Sequence, residues 1–361
     1  MSNQQKKYKI ALVGDCLALG GAEKVMAILS IYFDKNNLEV LNCILVDKVS
    51  YDYAGNLLNL GKIKPNSCSI IRKIYRFCAL VKFIKNNQFD AVIDFRMRQN
   101  QFLEFMLSWF IYPPNSIYTV HSGVLGFYFP TIIFFSRLIY NNKKIVSVSD
   151  GIKNKIELEK FVKSAITIHN PFDFSKIAIQ KNEFLIDENY ILAVGNMNND
   201  IKQFDKLICK YAKSDLPKKN IKLFILGDGI LKVKYLELVK SLKLNDLIFF
   251  KGISDNPFPY YKNALFLVSC SKYEGLPNVI IESLACETPV IAFDCFSGPK
   301  EIIVNNQNGL LIENQNFEKL IEAMNFMISN TDFYKKVKKN ARKSVEKFSV
   351  EIIGKQWLEF I

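Results

Sequence analysis

The sequence has 361 residues, of which 49% are hydrophobic and 23% charged, and its formal net charge is +13. A chain of this length and apolar content can bury two domain cores, so the composition excludes a disordered protein. The positive charge, most of it in the first half, favours an anionic partner such as a nucleic acid, an anionic membrane surface or a phosphorylated substrate.

Neither a targeting segment nor a membrane span is expected. The apolar run at residues 10–13 is too short for the core of a secretory leader. The most apolar stretches, 102–114 and 127–140, are interrupted by Glu104, Pro130 and Arg137 and are shorter than the roughly 18 residues of a membrane span. We therefore expect a cytoplasmic protein.

The eight cysteines and two histidines do not form a metal-binding pattern. No two cysteines stand at the spacing of a metal-binding knuckle. We therefore expect all eight cysteines, including Cys68, to be reduced and most of them to be buried. His121 and His169 have no cysteine or histidine at ligand spacing. A disulfide framework and a structural zinc site are therefore not expected.

Short apolar runs typical of strands alternate with helical patterns along the whole chain. In the first half these runs cover residues 9–14, 40–46, 91–95, 116–120 and 144–149. In the second half they cover residues 190–195, 222–227, 247–252, 265–269 and 289–293. Segments between them, such as GAEKVMAILSIYF, have apolar residues at helical spacing. This alternation predicts an α/β protein with parallel sheets covered by helices.

The chain is predicted to contain two doubly wound domains. Proline and turn-forming residues interrupt both patterns at HNPFDFSK, residues 169–176, which places the boundary there. The predicted domains are residues 1–170 and 171–345. A last segment, 346–361, has apolar residues at helical spacing and is expected to pack as a closing helix.

Two carboxylates, Glu274 and Glu282, flank a Gly-Leu-Pro-Asn turn in otherwise apolar surroundings. We expect a helix with Pro277 in its first position, because proline fits there at no cost. The backbone N–H groups and the positive helix end would then form an anion site over five residues, which are Gly275, Leu276, Pro277, Asn278 and Val279. The segment thus predicts a phosphate site between two carboxylates.

This order of groups matches a nucleotide sugar, which carries sugar hydroxyls, a diphosphate and ribose hydroxyls in succession. Carboxylates accept hydrogen bonds from hydroxyls, and the helix start donates to the diphosphate. The alternative is that Glu274 is a surface loop residue and Glu282 a solvated helix residue. Against it, Glu282 has the apolar neighbours Ile281 and Leu284.

The chain resembles the retaining glycosyltransferases often called family 4, which build bacterial surface polysaccharides and lipid-linked glycans. Glu274 and Glu282 stand at the spacing of that family's Glu-x7-Glu signature. Further stretches resemble family motifs along nearly the whole chain: GGAE at 20–23, TVHSG at 119–123, VSVSDGIK at 146–153, HNPFD at 169–173, GNMNNDIKQFDKLI at 195–208, ILGDG at 225–229 and SGPKEII at 297–303. The resemblance implies a GT-B fold, in which two Rossmann-like domains face a cleft and the closing helix returns to the first domain.

The resemblance also implies roles for individual residues. Domain 1–170 would hold the acceptor and domain 171–345 the nucleotide sugar. Glu274 would contact the donor sugar, Glu282 the ribose and Lys202 the diphosphate. The backbone at Gly20 and Gly21 would approach the donor phosphates and the acceptor, since a side chain there would block close contact.

Two further positions follow from the resemblance. His121 would hydrogen-bond or orient the transferred sugar, and the alternative is an ordinary histidine at a strand end. Asn196 stands where the family usually has an arginine directly after the glycine of its phosphate loop. Because asparagine brings no charge, neutralisation of the leaving diphosphate would depend more on Lys202 and the helix start.

We expect a reaction without metal or cofactor, in which the nucleotide sugar is a substrate. No two aspartates stand two residues apart, so the Asp-x-Asp metal site of the other large glycosyltransferase fold is missing. The resemblance implies retention of the anomeric configuration during transfer of a hexose or N-acetylhexosamine. We expect UDP as the nucleotide.

The acceptor is inferred from the basic and aromatic first half. Residues 70–87 and 127–144 mix lysine and arginine with large apolar residues, which suits an anionic lipid surface. Ordinary helices that point lysines at water are the alternative. We prefer a lipid-linked saccharide acceptor at the inner membrane face over a soluble acceptor.

Two other classes of protein compete with this interpretation. The charge permits a nucleic-acid-binding protein, but no recognition motif is present, so no nucleic-acid partner is expected. A dinucleotide-dependent oxidoreductase would need G-x-G-x-x-G, and GDCLALGGAE does not match it. Neither class explains Glu274 and Glu282.

Overall fold

The computed structural model describes residues 7–18, 20–63 and 69–361. Cys68, and Leu19 in front of the GGAE motif, lie outside the described residues. The chain divides into two compact units. The first contains the described residues up to Phe172 together with Phe348–Ile361, and the second contains Asp173–Lys347.

The first unit contains a seven-stranded parallel sheet. Its strands are β1 (Lys9–Gly14), β2 (Glu39–Ile44), β3 (Asn56–Asn59), β4 (Ala91–Asp94), β5 (Ile117–Val120), β6 (Lys144–Ser147) and β7 (Ile166–Thr167). They lie in the order β3-β2-β1-β4-β5-β6-β7. The helices are α1 (Gly21–Lys35), α2 (Ser69–Asn87), α3 (Gln101–Met106), α4 (Ile133–Tyr140) and α5 (Asp150–Leu158), and a π-helix (Leu107–Ile111) continues α3.

The second unit contains a six-stranded parallel sheet. Its helices are α6 (Phe174–Gln180), α7 (Phe204–Lys213), α8 (Lys232–Ser241), α9 (Phe258–Asn263), α10 (Asn278–Ala285), α11 (Pro299–Ile302), α12 (Phe317–Ser329) and α13 (Thr331–Ser344). Its strands are β8 (Tyr190–Val194), β9 (Lys222–Leu226), β10 (Ile248–Gly252), β11 (Leu267–Ser269), β12 (Val290–Asp294) and β13 (Gly309–Glu313). They lie in the order β10-β9-β8-β11-β12-β13.

The final helix, α14 (Val350–Phe360), belongs to the first unit. It packs on α1, and its Ile353 and Trp357 join the core formed by β1, β4 and α1. Just before it, Phe172 and Ser349 form a parallel β-bridge. The chain therefore leaves the first unit and returns to it at adjacent points.

The predicted architecture of two doubly wound parallel sheets is confirmed. All ten predicted strands are present, because strands covered on both faces have continuous apolar sequences. The three additional strands, β3, β7 and β13, each lie at an edge of a sheet. Edge strands have fewer buried neighbours, so their sequences carry a weaker apolar signal.

Two smaller expectations concern the cysteines and the membrane. The seven described cysteines are all unpaired, and four of them are buried. Within the described part of the chain, every helix is too short or too polar to cross a bilayer.

Candidate active site

In the second unit, an ion pair joins two of the predicted site residues. Lys202 lies in the loop between β8 and α7, and Glu274 lies in the loop between β11 and α10. The Lys202 Nζ atom is 2.6 Å from the Glu274 Oε1 atom. The two side chains are 19% and 11% exposed, so the pair is largely buried but open to solvent at one side.

The position of this pair follows from the strand order. Strands β8 and β11 are neighbours, and the chain winds outward from them in opposite directions. The loops at their carboxyl ends therefore separate, which is where ligands bind in open parallel sheets. The Lys202–Glu274 pair lies at this switch point.

Backbone contacts hold the two loops together. The Lys272 N–H donates to the Ile201 carbonyl at 2.8 Å, and the Gln203 side-chain amide donates to the Cys270 carbonyl at 2.7 Å. An ion pair between Lys272 and Asp200 adds a further connection. Lys202 and Glu274 are thus positioned by a braced pair of loops.

Gly195, the first residue of the phosphate-loop segment, lies directly beneath the Lys202 side chain. A Cβ atom at this position would lie 2.9 Å from Lys202 Cγ and 3.0 Å from Lys202 Cε. Only glycine leaves room for the lysine stem at that distance. The glycine therefore contributes to the position of the Lys202 ammonium group.

Asn196, the departure from the family arginine, is exposed in the same loop. Its side-chain oxygen accepts a hydrogen bond from the Asn198 N–H at 3.4 Å. The next residue, Met197, is buried and its N–H donates to the Asp228 carbonyl at 2.8 Å. The asparagine is therefore next to the glycine that supports Lys202, on a loop whose backbone is fixed.

The turn from Gly275 to Val279 leads into α10, which begins one residue later than expected. The helix starts at Asn278, and Pro277 precedes it with an extended backbone, ψ 95°. The prediction of Pro277 as the first helical residue is wrong. The reason is packing on the 297–299 segment, since Gly298, with φ +90°, lies against Pro277 and the Ser297 hydroxyl donates to the Gly275 carbonyl at 2.9 Å.

Glu282 is only 6% exposed on α10, so it is not a solvated helix residue. Its Oε2 atom accepts a hydrogen bond from the Tyr261 hydroxyl of α9 at 2.9 Å. Burial, followed by the charge of Glu282, raises the pKa of Tyr261 well above its ordinary value. The phenol therefore stays protonated and remains a donor to this carboxylate.

Gly20 and Gly21 lie at the start of α1 in the first unit. Gly20 is the residue that caps the helix, and a Cβ atom there would clash with the Glu23 carboxylate. Burial raises the pKa of Glu23 and also that of Asp15, which lies at the end of β1. Gly20 therefore allows a partly buried carboxylate to fold back over the helix start.

His121 follows β5 in the same unit, and its Nε2 atom lies 3.0 Å from the Thr119 hydroxyl oxygen. That hydroxyl donates its one proton to the Asp94 carbonyl at 3.0 Å, so it can only accept from His121. Burial, and then the nearby Arg98 charge, lower the pKa of His121 to about 3. The imidazole is therefore neutral, with its proton on Nε2 and an acceptor at Nδ1.

A buried ionic network at the end of β4 was not anticipated from the sequence. Arg96 lies 2.6 Å from Asp94 and 3.1 Å from Glu104, and all three are at most 2% exposed. Arg98 donates to the Thr119 carbonyl at 2.9 Å, and its guanidinium lies within 6 Å of three rings, those of Tyr118, Tyr128 and Tyr140. The signal in the sequence was the pair of arginines directly after an apolar strand.

The structure thus places the predicted site residues in two groups. Those in the second unit lie on the two loops at its switch point and on α10: Asn196, Lys202, Glu274, Gly275, Leu276, Pro277, Asn278, Val279 and Glu282. Those in the first unit, Gly20, Gly21 and His121, follow β1 and β5.

Residues 175–344 match the model of the family described as glycosyl transferases group 1. The N-acetylgalactosamine-N,N'-diacetylbacillosaminyl-diphospho-undecaprenol 4-alpha-N-acetylgalactosaminyltransferase of Campylobacter jejuni is 29% identical over 96% of this chain and 97% of its own length. A second enzyme of that organism, the GalNAc-alpha-(1->4)-GalNAc-alpha-(1->3)-diNAcBac-PP-undecaprenol alpha-1,4-N-acetyl-D-galactosaminyltransferase, is 30% identical over 81% of this chain and 80% of its own length.

Among solved structures, Anabaena Alr3699/HepE in complex with UDP and glucose is similar over 98% of both chains, with a TM-score of 0.76 and 17% identity. That likeness supports the fold, and the sequence relatives support the activity. The chain belongs to the glycosyl transferases group 1 family and is a glycosyltransferase with two Rossmann-like parallel-sheet units of the GT-B type.

Proposed function

We propose that this enzyme transfers a hexose or N-acetylhexosamine from a UDP-linked donor to a lipid-linked glycan, with retention of the anomeric configuration and without a metal ion. The observation that carries the proposal is the Lys202–Glu274 ion pair beside the start of α10, at the switch point of the second unit. It provides a cation for a diphosphate and a carboxylate for sugar hydroxyls within one short distance.

Each residue has a proposed role in this reaction. Lys202 and the backbone from Gly275 to Val279 neutralise the leaving diphosphate, which is why no metal is needed. Glu274 contacts the donor sugar and Glu282 the ribose.

The residues of the first unit complete the proposed reaction. Gly20 and Gly21 provide backbone contacts to the donor phosphates and the acceptor. His121, neutral and with an acceptor at Nδ1, orients the transferred sugar.

The relatives support the donor and acceptor classes. Both Campylobacter enzymes are named for alpha-N-acetylgalactosamine transfer to saccharides on undecaprenol diphosphate. An alpha product retains the configuration if the donor is alpha-linked. The Anabaena structure, which is similar in fold, is a complex with UDP.

The proposal is tested by thermal denaturation of the purified protein with UDP, GDP or ADP. A ligand at 100 times its dissociation constant stabilises the folded state by about 2.7 kcal/mol, and we expect UDP to give the largest shift. Transfer from UDP-sugars to a lipid-linked saccharide should persist in excess EDTA. The proposal fails if no nucleotide stabilises the protein, or if chelation abolishes transfer and Mn²⁺ or Mg²⁺ restores it.

A further inference from the structure

The first unit exposes eight large apolar side chains on two neighbouring segments. We call this surface the aromatic face, and it consists of Phe102, Trp109, Phe110, Ile132, Ile133, Phe134, Phe135 and Leu138. Phe102 is 76% exposed, Phe134 69% and Phe110 61%. Single exposed apolar residues are ordinary, but a cluster of this size marks a surface that binds another apolar phase.

The two segments are fixed against each other by hydrogen bonds from polar groups. The Ser108 hydroxyl donates to the Ile139 carbonyl at 3.1 Å, and the Trp109 indole donates to the Leu138 carbonyl at 3.2 Å. The Lys143 ammonium donates to the Ser108 carbonyl at 2.7 Å. Because these polar groups are satisfied internally, the aromatic face presents mainly rings and aliphatic chains to its surroundings.

The surroundings of the aromatic face are basic. Residues 69–89 and 105–149, which include α2, the π-helix and α4, together contain eight lysines and arginines and no aspartate or glutamate. Helix α2 packs against the π-helix, and it exposes both apolar and basic side chains, namely Ile71, Ile74, Tyr75, Lys73, Lys82 and Lys85. Apolar rings beside clustered positive charge match the boundary between acyl chains and anionic headgroups.

We propose that the aromatic face, together with the exposed side of α2, docks on the surface of an anionic lipid bilayer. This inference rests on the proposed lipid-linked acceptor and adds the surface that brings the enzyme to it. A second copy of this chain is a poorer occupant, because two surfaces with positive charge and no acidic residues would repel each other.

The experiment measures binding to vesicles of phosphatidylglycerol and phosphatidylcholine, with phosphatidylcholine alone for comparison. Trp109 is a built-in reporter, since it is 52% exposed and the second tryptophan, Trp357, is 2% exposed. We expect co-sedimentation with anionic vesicles and a blue shift of the Trp109 emission. Phe110→Ser with Phe134→Ser should lower the partition coefficient at least roughly tenfold, because two rings no longer enter the interface.

Two further variants separate the causes. Leu158→Ser with Leu185→Ser is the matched control, because both leucines are 81% exposed and lie outside the aromatic face, and binding should change by less than about twofold. Lys73→Glu with Lys82→Glu should weaken binding to the vesicles that contain phosphatidylglycerol. It should not change binding to vesicles of phosphatidylcholine. Circular dichroism of each variant verifies that it is folded.

The docking surface is overturned if the unaltered protein does not bind anionic vesicles, or if the two phenylalanine substitutions leave binding unchanged. Self-association that buries Trp109 in the absence of lipid, measured by sedimentation velocity, would also overturn it. UDP stabilisation is measured on the same samples. If vesicle binding is absent but UDP still stabilises the protein, only the docking surface is refuted. If the protein binds vesicles but UDP does not stabilise it, only the proposed function is refuted.

Discussion

The two units use the same strand order around their switch points but place charge there in different ways. In the second unit the loops after β8 and β11 carry the Lys202–Glu274 pair, which solvent reaches. In the first unit the chain after β4 carries Arg96 in the loop and Glu104 on α3, and solvent does not reach these two side chains. The parallel sheet thus determines where the loops meet, while burial determines whether their charges can interact with a ligand.

Partly exposed charges can exchange one partner for another, so the Lys202–Glu274 pair is suited to a ligand that arrives and leaves. Buried charges cannot do so without a large desolvation cost. The network of Asp94, Arg96 and Glu104 therefore acts as a fixed support for the loop after β4.

The largest effect is expected from Arg96→Met. The substitution leaves Asp94 and Glu104 buried without their cation, which should reduce the free energy of unfolding by about 3–5 kcal/mol. Lys355→Met is the matched control, because Lys355 pairs with Glu359 on the surface of α14 and should change stability by less than about 0.5 kcal/mol. If calorimetry shows the same loss of stability for both variants, the expected difference between the buried and the exposed ion pair is contradicted.

Glu274→Gln should reduce kcat by about 10²–10³-fold while UDP affinity stays nearly constant, because the proposed role of this carboxylate is to contact the reacting sugar. Glu282→Ala should instead weaken UDP binding. Glu287→Gln is the control, since Glu287 in the same unit pairs with Lys181 and Lys262 outside the proposed site. Calorimetric titration measures the UDP affinity of each variant, and steady-state kinetics measures its kcat. Equal losses of UDP affinity in the Glu274 and Glu282 variants would refute the proposal that the two residues have different roles.

Asn196→Arg should tighten UDP binding by about 1.5–3 kcal/mol if the new guanidinium reaches the diphosphate. Thermal denaturation with and without UDP measures the effect. Equal destabilisation in both conditions would mean that position 196 does not face the diphosphate.

Gly195→Ala should displace the Lys202 side chain, because the added Cβ atom would lie within 3.1 Å of its stem. We expect a loss of about tenfold in kcat/KM, since Lys202 is proposed to bind the leaving diphosphate and small displacements of such a group are costly. Gly126→Ala is the control, as a Cβ atom there meets nothing within 4 Å. A rate unchanged by Gly195→Ala would show that Lys202 does not need this support.

The smallest effect at neutral pH concerns His121, whose pKa is lowered to about 3 from an ordinary value near 6.5. Between these values the unfolded chain takes up a proton that the folded protein does not, so stability should decrease as pH falls through this window. His121→Gln should remove that part of the decrease. Nitrogen NMR of the two histidines should show His121 neutral with its proton on Nε2 at pH 5, and a charged ring there would contradict the assignment.

The sequence predicted the parts of the fold that depend on continuous apolar runs. Central strands such as β1 and β8 are buried on both faces, so their sequences identify them. The edge strand β13 is partly exposed and lies between polar turns, so its pattern was not distinctive. The first residue of α10 was missed because it depends on contacts with Gly298, which is distant in sequence.

For the candidate site, the sequence led to a set of predicted site residues but did not show how their side chains are paired. The distance between Lys202 and Glu274 follows from the adjacency of β8 and β11, which local patterns do not show. The hydrogen bond from Tyr261 to Glu282 likewise depends on the packing of two helices and is not visible in local sequence patterns. The arginines after β4 were visible as charges, but only the fold shows that they are buried.

The closing helix has a consequence for how this protein is made. Residues 173–347 form a complete unit that is synthesised before α14, while the core of the first unit requires Ile353 and Trp357 from that helix. During synthesis the second unit therefore has its whole sequence available for folding while the first still lacks one side of its core. Until α14 is released from the ribosome, the surface of α1 that it covers stays exposed to chaperones and to other nascent chains.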